Sequence, residues 1–319
     1  MKRKVLVRGL AILCGLVIAL FAAELAVRLR KPFTVGQAGM RLPLFSGDQE
    51  KVRSLFNLDP DLGYVPIFGT DLYDDNGFLH NAYSIDDKEG RQRVLFLGDS
   101  VTRRGKIIAA LRELYGTEMY EYWNAGVTAY NTAQEALYYE RFASKANPDH
   151  VVLTFHLNDF YRTPISFLDE QGQMQVISPH KNLSEVSAWL FAWSHLYRFY
   201  IGRTRDPWDL DEPTEDIRVA LSRLKELTDR PGVRLSVIVM PNLAPIDKWH
   251  PLWQKRYDIA IAALEELQVP YWSLVESLKE AIADGVDPEE TPGDTEHPSA
   301  AVSVYFGKDL KSRRLFEGP

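Results

Sequence analysis

Ser100 follows an apolar run without a break, Val94 to Gly105 reading VLFLGDSVTRRG. A serine hydroxyl becomes a nucleophile only when a base takes its proton and a third group orients that base. Both partners have candidates near the other end of the chain. There GDTEHPSAAVSVYFGKDLKSRR sets Asp294 three residues before His297, and Pro298 opens a helical pattern. A carboxylate at that spacing on a turn can accept from one imidazole nitrogen while the other nitrogen faces outward. Ser100, His297 and Asp294 thus have the types of a nucleophile, its base and its orienter, provided that the fold brings them together.

Two other chemistries at the turn fail on spacing. A phosphate cradle needs G-x-x-x-x-G-K-[ST], but six residues separate Gly98 from Gly105 and Ile107 follows Lys106 where a hydroxyl should reach magnesium. A G-x-S-x-G elbow fails because Thr102 stands at the second glycine. A plain turn serine stays open. Asp99 and Asp159 read as hydrogen-bonding loop residues that brace the turn, since no His and acid cluster has metal-ligand spacing; neither a metal nor a cofactor is expected. His150 reads as the exposed start of a strand, and His80, His180, His195 and His250 have no partner pattern.

The elements that must position these residues follow from hydrophobic periodicity. Strands are expected at RVLFLG, MYEYWN, HVVLTF (150–155), VRLSVIVMP (233–241) and VPYW (269–272), alternating with helices in KIIAALRELYG, TAQEALYYERFASKA, EDIRVALSRLKELTDRPG and RYDIAIAALEELQ. Alternation of this kind makes a parallel sheet covered on both faces, with ligands at the carboxyl ends of its strands. Those ends carry Gly98-Asp99-Ser100, Asn124-Ala125-Gly126 and His156-Leu157-Asn158-Asp159.

With 319 residues, 45% hydrophobic and 12% aromatic, the chain can bury a substantial core. A net charge of -7 excludes a nucleic-acid footprint, and the lone Cys14 excludes an internal disulfide or a cysteine-held metal. Residues 1–8 form a basic tail and residues 9–28 a transmembrane anchor, in which Glu24 is the one charge between Gly9 and Val27. Such a helix reaches about 28 Å, one hydrocarbon core. Lys2, Arg3, Lys4 and Arg8 favour a cytoplasmic N-terminus, which makes the remainder extracytoplasmic, periplasmic or extracellular. A cleaved signal is the alternative, with Ala23 before the cut but Phe21 where a small residue belongs. Residues 32–90 read as an irregular or β-rich extension, and residues 91–315 as the main domain with an insertion at about 160–213. The insertion holds a helix over 183–202 and an acidic tail. Its Trp189, Trp193, Tyr197 and Tyr200 are read as core, with a lid or an aromatic wall for substrate as the alternative.

Gly98-Asp99-Ser100, Gly126 in NAGV, Asn158-Asp159 in HLNDF and Asp294-x-x-His297-Pro298 resemble, in order, the blocks of the SGNH, or GDSL-type, serine esterases. The resemblance covers roughly residues 91 to 315. It implies a three-layer α/β/α flavodoxin-like fold and a Ser-Asp-His hydrolase, with Ser100 the nucleophile, His297 the base and later acid, and Asp294 its orienter. It also implies an oxyanion hole from the Ser100 and Gly126 backbone N–H groups and the Asn158 amide. His156 departs from the family's glycine and could narrow the cleft rim or contact substrate, though a histidine hydrogen-bonded at a strand end is the plainer reading; Arg103, after the nucleophile, could meet an anionic substrate, though a solvated helix start is the plainer reading.

The expected activity is a membrane-anchored, exported serine esterase acting on a small acyl ester, such as O-acetyl groups of a cell-surface carbohydrate. Its partners would be an acylated small molecule or polysaccharide and, through the N-terminal helix, the membrane, with no nucleic acid. An O-acyltransferase using the same triad, and a non-catalytic envelope binding or assembly protein, remain as alternatives.

Overall fold

The structure, a computed structural model, describes residues 2–30, 34, 49–177, 185–204 and 216–317. The start of the expected extension (32, 33 and 35–48), His180 and the acidic stretch 205–215 lie outside the described residues. Along the chain come α1 (Lys2–Arg30), α2 (Gln49–Leu55), β1 (Phe56–Asp59), β2 (Gly63–Pro66), β3 (Gln92–Gly98), α3 (Ser100–Arg104) and α4 (Lys106–Tyr115). Next are β4 (Tyr120–Asn124), α5 (Thr132–Arg141), β5 (His150–Phe155), a hairpin of β6 (Ile165–Leu168) and β7 (Met174–Ile177), α6 (Glu185–Trp193) and α7 (His195–Thr204). The chain continues through α8 (Ile217–Thr228), β8 (Arg234–Val239), α9 (Pro251–Glu266), β9 (Tyr271–Ser273), α10 (Val275–Ala283) and α11 (Ala300–Ser312). Two compact units are distinguished: Met1–Ser54, Leu58–Tyr64 and Pro164–Pro213 form one, and Leu55–Asn57, Val65–Thr163 and Thr214–Pro319 the other.

The second unit is built on a parallel sheet in the order β4-β3-β5-β8-β9. The first strand of the sheet thus lies second in space, which is the flavodoxin-like order, and a ligand crevice is expected where the winding reverses between β3 and β5. β5 is buried along its whole length and β3 from Arg93 onward, as central parallel strands must be. On one face, Ile107, Ile108 and Leu111 of α4 and Phe306 and Leu310 of α11 close over Val94 and Phe96. α5, α8 and α9 pack side by side as the other helical layer. The helix starts follow from sequence: Asn131 and Gln134 form a reciprocal capping box, and Asp216 and Ser299 cap α8 and α11.

The N-terminal ends of the strands bury a charge cluster. Arg93 and Glu121 sit opposite each other in the β3–β4 register and pair at 2.7 Å with side chains 1% and 0% exposed. The Arg93 guanidinium lies 4.7 Å over the Trp123 ring, whose Nε1 donates to Glu121 at 2.9 Å. His150, expected at the surface, is instead 1% exposed, because β5 is the central strand and its first residue is covered on both sides. Its Nε2 meets the Ser236 hydroxyl at 2.8 Å, and burial, with the Arg234 charge, pushes its pKa down to about 3.

A second buried group lies at the opposite, carboxyl-terminal ends. Glu135 of α5 is 2% exposed and neither carboxyl oxygen has a hydrogen-bond partner. Asp159 is fully buried, accepting from the Thr132 hydroxyl at 2.9 Å and the His156 N–H at 3.3 Å. Burial raises the pKa of both well above the ordinary carboxylate value, helped by the charges of Asp159 and Asp99 at Glu135 and of Asp99 at Asp159.

In the first unit the expected helix over 183–202 is broken at Ser194, whose hydroxyl accepts the Tyr197 N–H at 3.1 Å and starts α7 afresh. Trp189, Trp193 and Tyr200, read as core, are 65%, 48% and 53% exposed; the core of this unit is formed by Ile177, Phe191 and Ile201 instead. The hairpin β6–β7 and helix α2 were not expected from periodicity. Among the described residues one helix, Lys4–Arg30, is long and apolar enough to cross a membrane, with its apolar side chains exposed.

Two stability predictions follow from the buried charges. Arg93→Met leaves Glu121 with the Trp123 indole and the longer 3.4 Å pairing to Arg91, and should lower the unfolding free energy by up to about 3–5 kcal/mol in chemical denaturation, with much of the loss recovered in Arg93→Met/Glu121→Leu. Glu135 and Asp159 have pKa values raised in the folded state, so their contribution is complete below the ordinary value of 4.5 for Glu and is lost as pH rises through the folded values. Melting temperature should therefore decline towards alkaline pH, and Glu135→Gln should flatten that decline.

Candidate active site

Gly98 ends β3 with φ of +152°, and a Cβ there would stand 2.1 Å from the Thr102 hydroxyl oxygen and 3.1 Å from the Thr154 carbonyl. Glycine is what lets the strand pass into a helix within one residue. Asp99 caps that helix, one carboxyl oxygen accepting the Val101 N–H at 2.8 Å, so Ser100 becomes the first residue of α3. Its N–H therefore has no acceptor within the helix. Ser100 is 8% exposed and its hydroxyl lies 2.7 Å from His297 Nε2.

His297 and Asp294 lie on the loop between α10 and α11. The loop is pinned on one side by the Leu243 N–H donating to the Thr295 carbonyl at 2.8 Å and the Asn242 amide donating to the Thr295 hydroxyl at 3.0 Å. On the other side the Glu290 N–H donates to the His297 carbonyl at 2.9 Å. His297 Nδ1 meets both Asp294 oxygens, at 2.8 and 2.9 Å, and the His297 N–H adds a bond to the same carboxylate at 3.2 Å. Nδ1 therefore carries the ring proton, and Nε2 is left as acceptor for Ser100. Burial would raise the Asp294 pKa, but the hydrogen bond and charge of His297 and the Glu296 and His297 N–H groups outweigh it and lower it. Arg104 reaches Asp294 at 3.9 Å and also pairs with Glu290, which Lys106 holds at 2.7 Å.

The third strand end supplies Asn158. Its Nδ2 donates to the free oxygen of Asp99 at 3.2 Å, so one carboxylate holds both the start of α3 and the amide after β5. Asp99, 1% exposed, thus braces the turn, while Asp159 braces the loop after β5 through the His156 N–H. The amide keeps a second N–H, and Ser100 has its own.

Gly126 departs from its expected role. Its N–H donates to the Asn124 side chain at 2.9 Å, because Asn124 closes a turn over its own loop, so this donor is already committed. Glycine is needed here for another reason: a Cβ would stand 2.4 Å from the Arg103 nitrogen, inside the backbone of α3. His156 is 1% exposed and not at a rim; it follows the plainer reading of a hydrogen-bonded histidine at a strand end, its Nδ1 accepting the Asn158 N–H at 3.3 Å, which ties the ring into the loop after β5. Arg103 lines a cavity of about 340 Å³ with Asp71, His80, Arg112 and Asn124, and none of Ser100, Asp294 or His297 borders it.

Sequence reasoning placed Asn124 at a strand end but missed its bond to the Gly126 N–H, and it missed Glu135 and the Arg104–Glu290–Lys106 ion pairs. Asn124 had a usable signal, an Asn at a strand end followed two residues later by Gly. Glu135 had none, since an acid in the first turn of a helix reads as a solvated residue.

No protein-family model matches the chain, and no curated relative matches it. Among solved structures it is similar to Axe2, an acetylxylan esterase from Geobacillus stearothermophilus, at 14% identity and a TM-score of 0.46, covering 73% of this chain and 99% of that one. It is also similar to LAE5, an alpha/beta hydrolase enzyme from the metagenome of Lake Arreo, Spain, at 12% identity and a TM-score of 0.47, covering 72% of this chain and 97% of that one.

Proposed function

We propose that this chain is an SGNH-type serine esterase held to a membrane by α1, with its reaction centre on the far side from the basic tail. The observation that carries the reading is the unbroken hydrogen-bond chain from Ser100 through His297 to Asp294, 2.7 Å and then 2.8 Å. A binding module has no use for a hydroxyl, an imidazole and a carboxylate in series beside unspent N–H donors.

In the proposed reaction His297 Nε2 takes the Ser100 proton as the oxygen attacks the ester carbonyl. Asp294, ionised because its pKa is lowered, holds the imidazole by Nδ1–H and stabilises the imidazolium that forms. The oxyanion is received by the Ser100 N–H and the remaining Asn158 amide hydrogen, each such donor contributing about 3–4 kcal/mol to the transition state. The imidazolium then protonates the departing alcohol, and water, deprotonated by the same nitrogen, releases the acid from the acyl-serine. The narrowest form of the proposal takes a small acyl group, such as acetyl, on a carbohydrate outside the membrane.

The full chain in detergent should release p-nitrophenol from acetate and butyrate esters and form a phosphonate adduct on Ser100, read by mass spectrometry. Ser100→Ala should lose about 10⁴-fold or more in kcat with the fold retained. Folded protein with neither adduct nor turnover would remove the esterase reading. Asn158→Ala should lower kcat by about 100- to 1000-fold while leaving the adduct chemistry at Ser100 detectable.

A further inference from the structure

Glu24 is the one acidic residue of α1 and needs a reason to lie in so apolar a helix. Its carboxylate accepts the Ser194 hydroxyl at 2.7 Å and the N–H groups of His195 and Leu196 at 3.0 and 2.9 Å. These are orphan donors of the first turn of α7, whose dipole also favours the negative charge. Arg28 pairs with Glu24 at 2.7 Å and donates to the Trp193 carbonyl. The α6–α7 corner is thus latched to the last turns of the apolar helix.

One turn earlier on α1, Leu20 and Phe21 line a largely apolar cavity of about 440 Å³ with Leu190, Leu196, Tyr197 and Tyr200. With a rise of 1.5 Å per residue, Leu20 lies about 6 Å deeper along the span than Glu24. The helices α6 and α7 therefore run beside the outer half of the apolar span, from its basic end at Arg28 inward, a depth that covers headgroups and outer acyl chains. Their outer surface matches that depth: Trp189, Trp193, Phe199 and Tyr200 are 65%, 48%, 39% and 53% exposed, and the Arg203 guanidinium lies 5.2 Å over the Phe199 ring. Trp and Tyr with a snorkelling arginine are the side chains that a bilayer interface selects. So many bulky rings turned to water on one pair of short helices is otherwise a liability.

We propose that the aromatic face of α6 and α7 is a lipid-docking surface, seated at the boundary of headgroups and acyl chains and continuous with the exposed apolar surface of α1. This rests on the reading of α1 as a membrane span. The occupant is the bilayer, since the face adjoins the one surface of the molecule that composition assigns to lipid.

The test uses the full chain in a Cys14→Ser background, reconstituted in phosphatidylcholine and phosphatidylglycerol vesicles. Nitroxide labels are placed singly through Trp189→Cys, Trp193→Cys, Phe199→Cys and Tyr200→Cys. Val17→Cys reports on the span and Val219→Cys, an exposed position of α8, reports on water. Circular dichroism and melting identical to the parent qualify each protein. The expected result is that collisions with oxygen exceed those with a water-soluble nickel chelate at all four ring positions and at Val17→Cys, with the reverse at Val219→Cys. Nickel access at the four positions equal to that at Val219→Cys, with Val17→Cys still in lipid, would overturn the inference and leave the anchor standing. Shielding of the four from both reagents would overturn it in favour of a protein partner or a second copy. Aqueous behaviour at Val17→Cys as well would remove the anchor and the inference together.

Discussion

The site depends on how abruptly β3 gives way to α3. Backbone at a positive φ with no room for a Cβ turns the chain at Gly98, and the next two residues then have fixed tasks: Asp99 caps the helix and Ser100 opens it. A gentler exit would leave the serine inside a loop with its N–H free to find a backbone partner. The loop after β4 presses Gly126 against the backbone of α3, so the helix is clamped from the side as well as capped from below. Hydroxyl and amide are aimed by backbone geometry, which does not depend on the rotamers of surrounding residues.

Buried carboxyl groups at the two ends of the sheet are treated in opposite ways. At the N-terminal ends Glu121 is matched by a guanidinium, an indole N–H and close packing, so its charge is kept. At the carboxyl ends Glu135 and Asp159 are buried without a cation and in the field of Asp99, so their pKa values are raised instead. The second arrangement lies directly under the loop that bears Asn158, since Asp159 holds the His156 N–H.

Strand runs were legible because they rest on local pattern, such as the continuous apolar runs of β3 and β5, whereas the order of the sheet was implied only by the family resemblance, and the caps Asn131, Asp216 and Ser299 emerged with the structure. The types at Ser100, Asp294, His297 and Asn158 were legible for the same reason, being punctuation at strand and helix ends. What local pattern could not carry was the use of each polar atom. That Asn124 consumes the Gly126 N–H, that His156 turns inward and that His150 heads a central strand are facts of three-dimensional neighbourhood. The break at Ser194 is intermediate: a serine ahead of a helix is a visible cap, but Glu24, which reinforces it, lies 170 residues away.

The bond between Ser100 and His297 spans 197 residues of chain. At about 5–20 residues per second, a ribosome takes roughly 10 to 40 seconds to cover that interval. Throughout it the nascent chain carries its serine just past the first strand of the sheet without His297. On the proposed reading, reactivity is thus withheld by the order of synthesis itself and arrives only when the final loop and α11 dock.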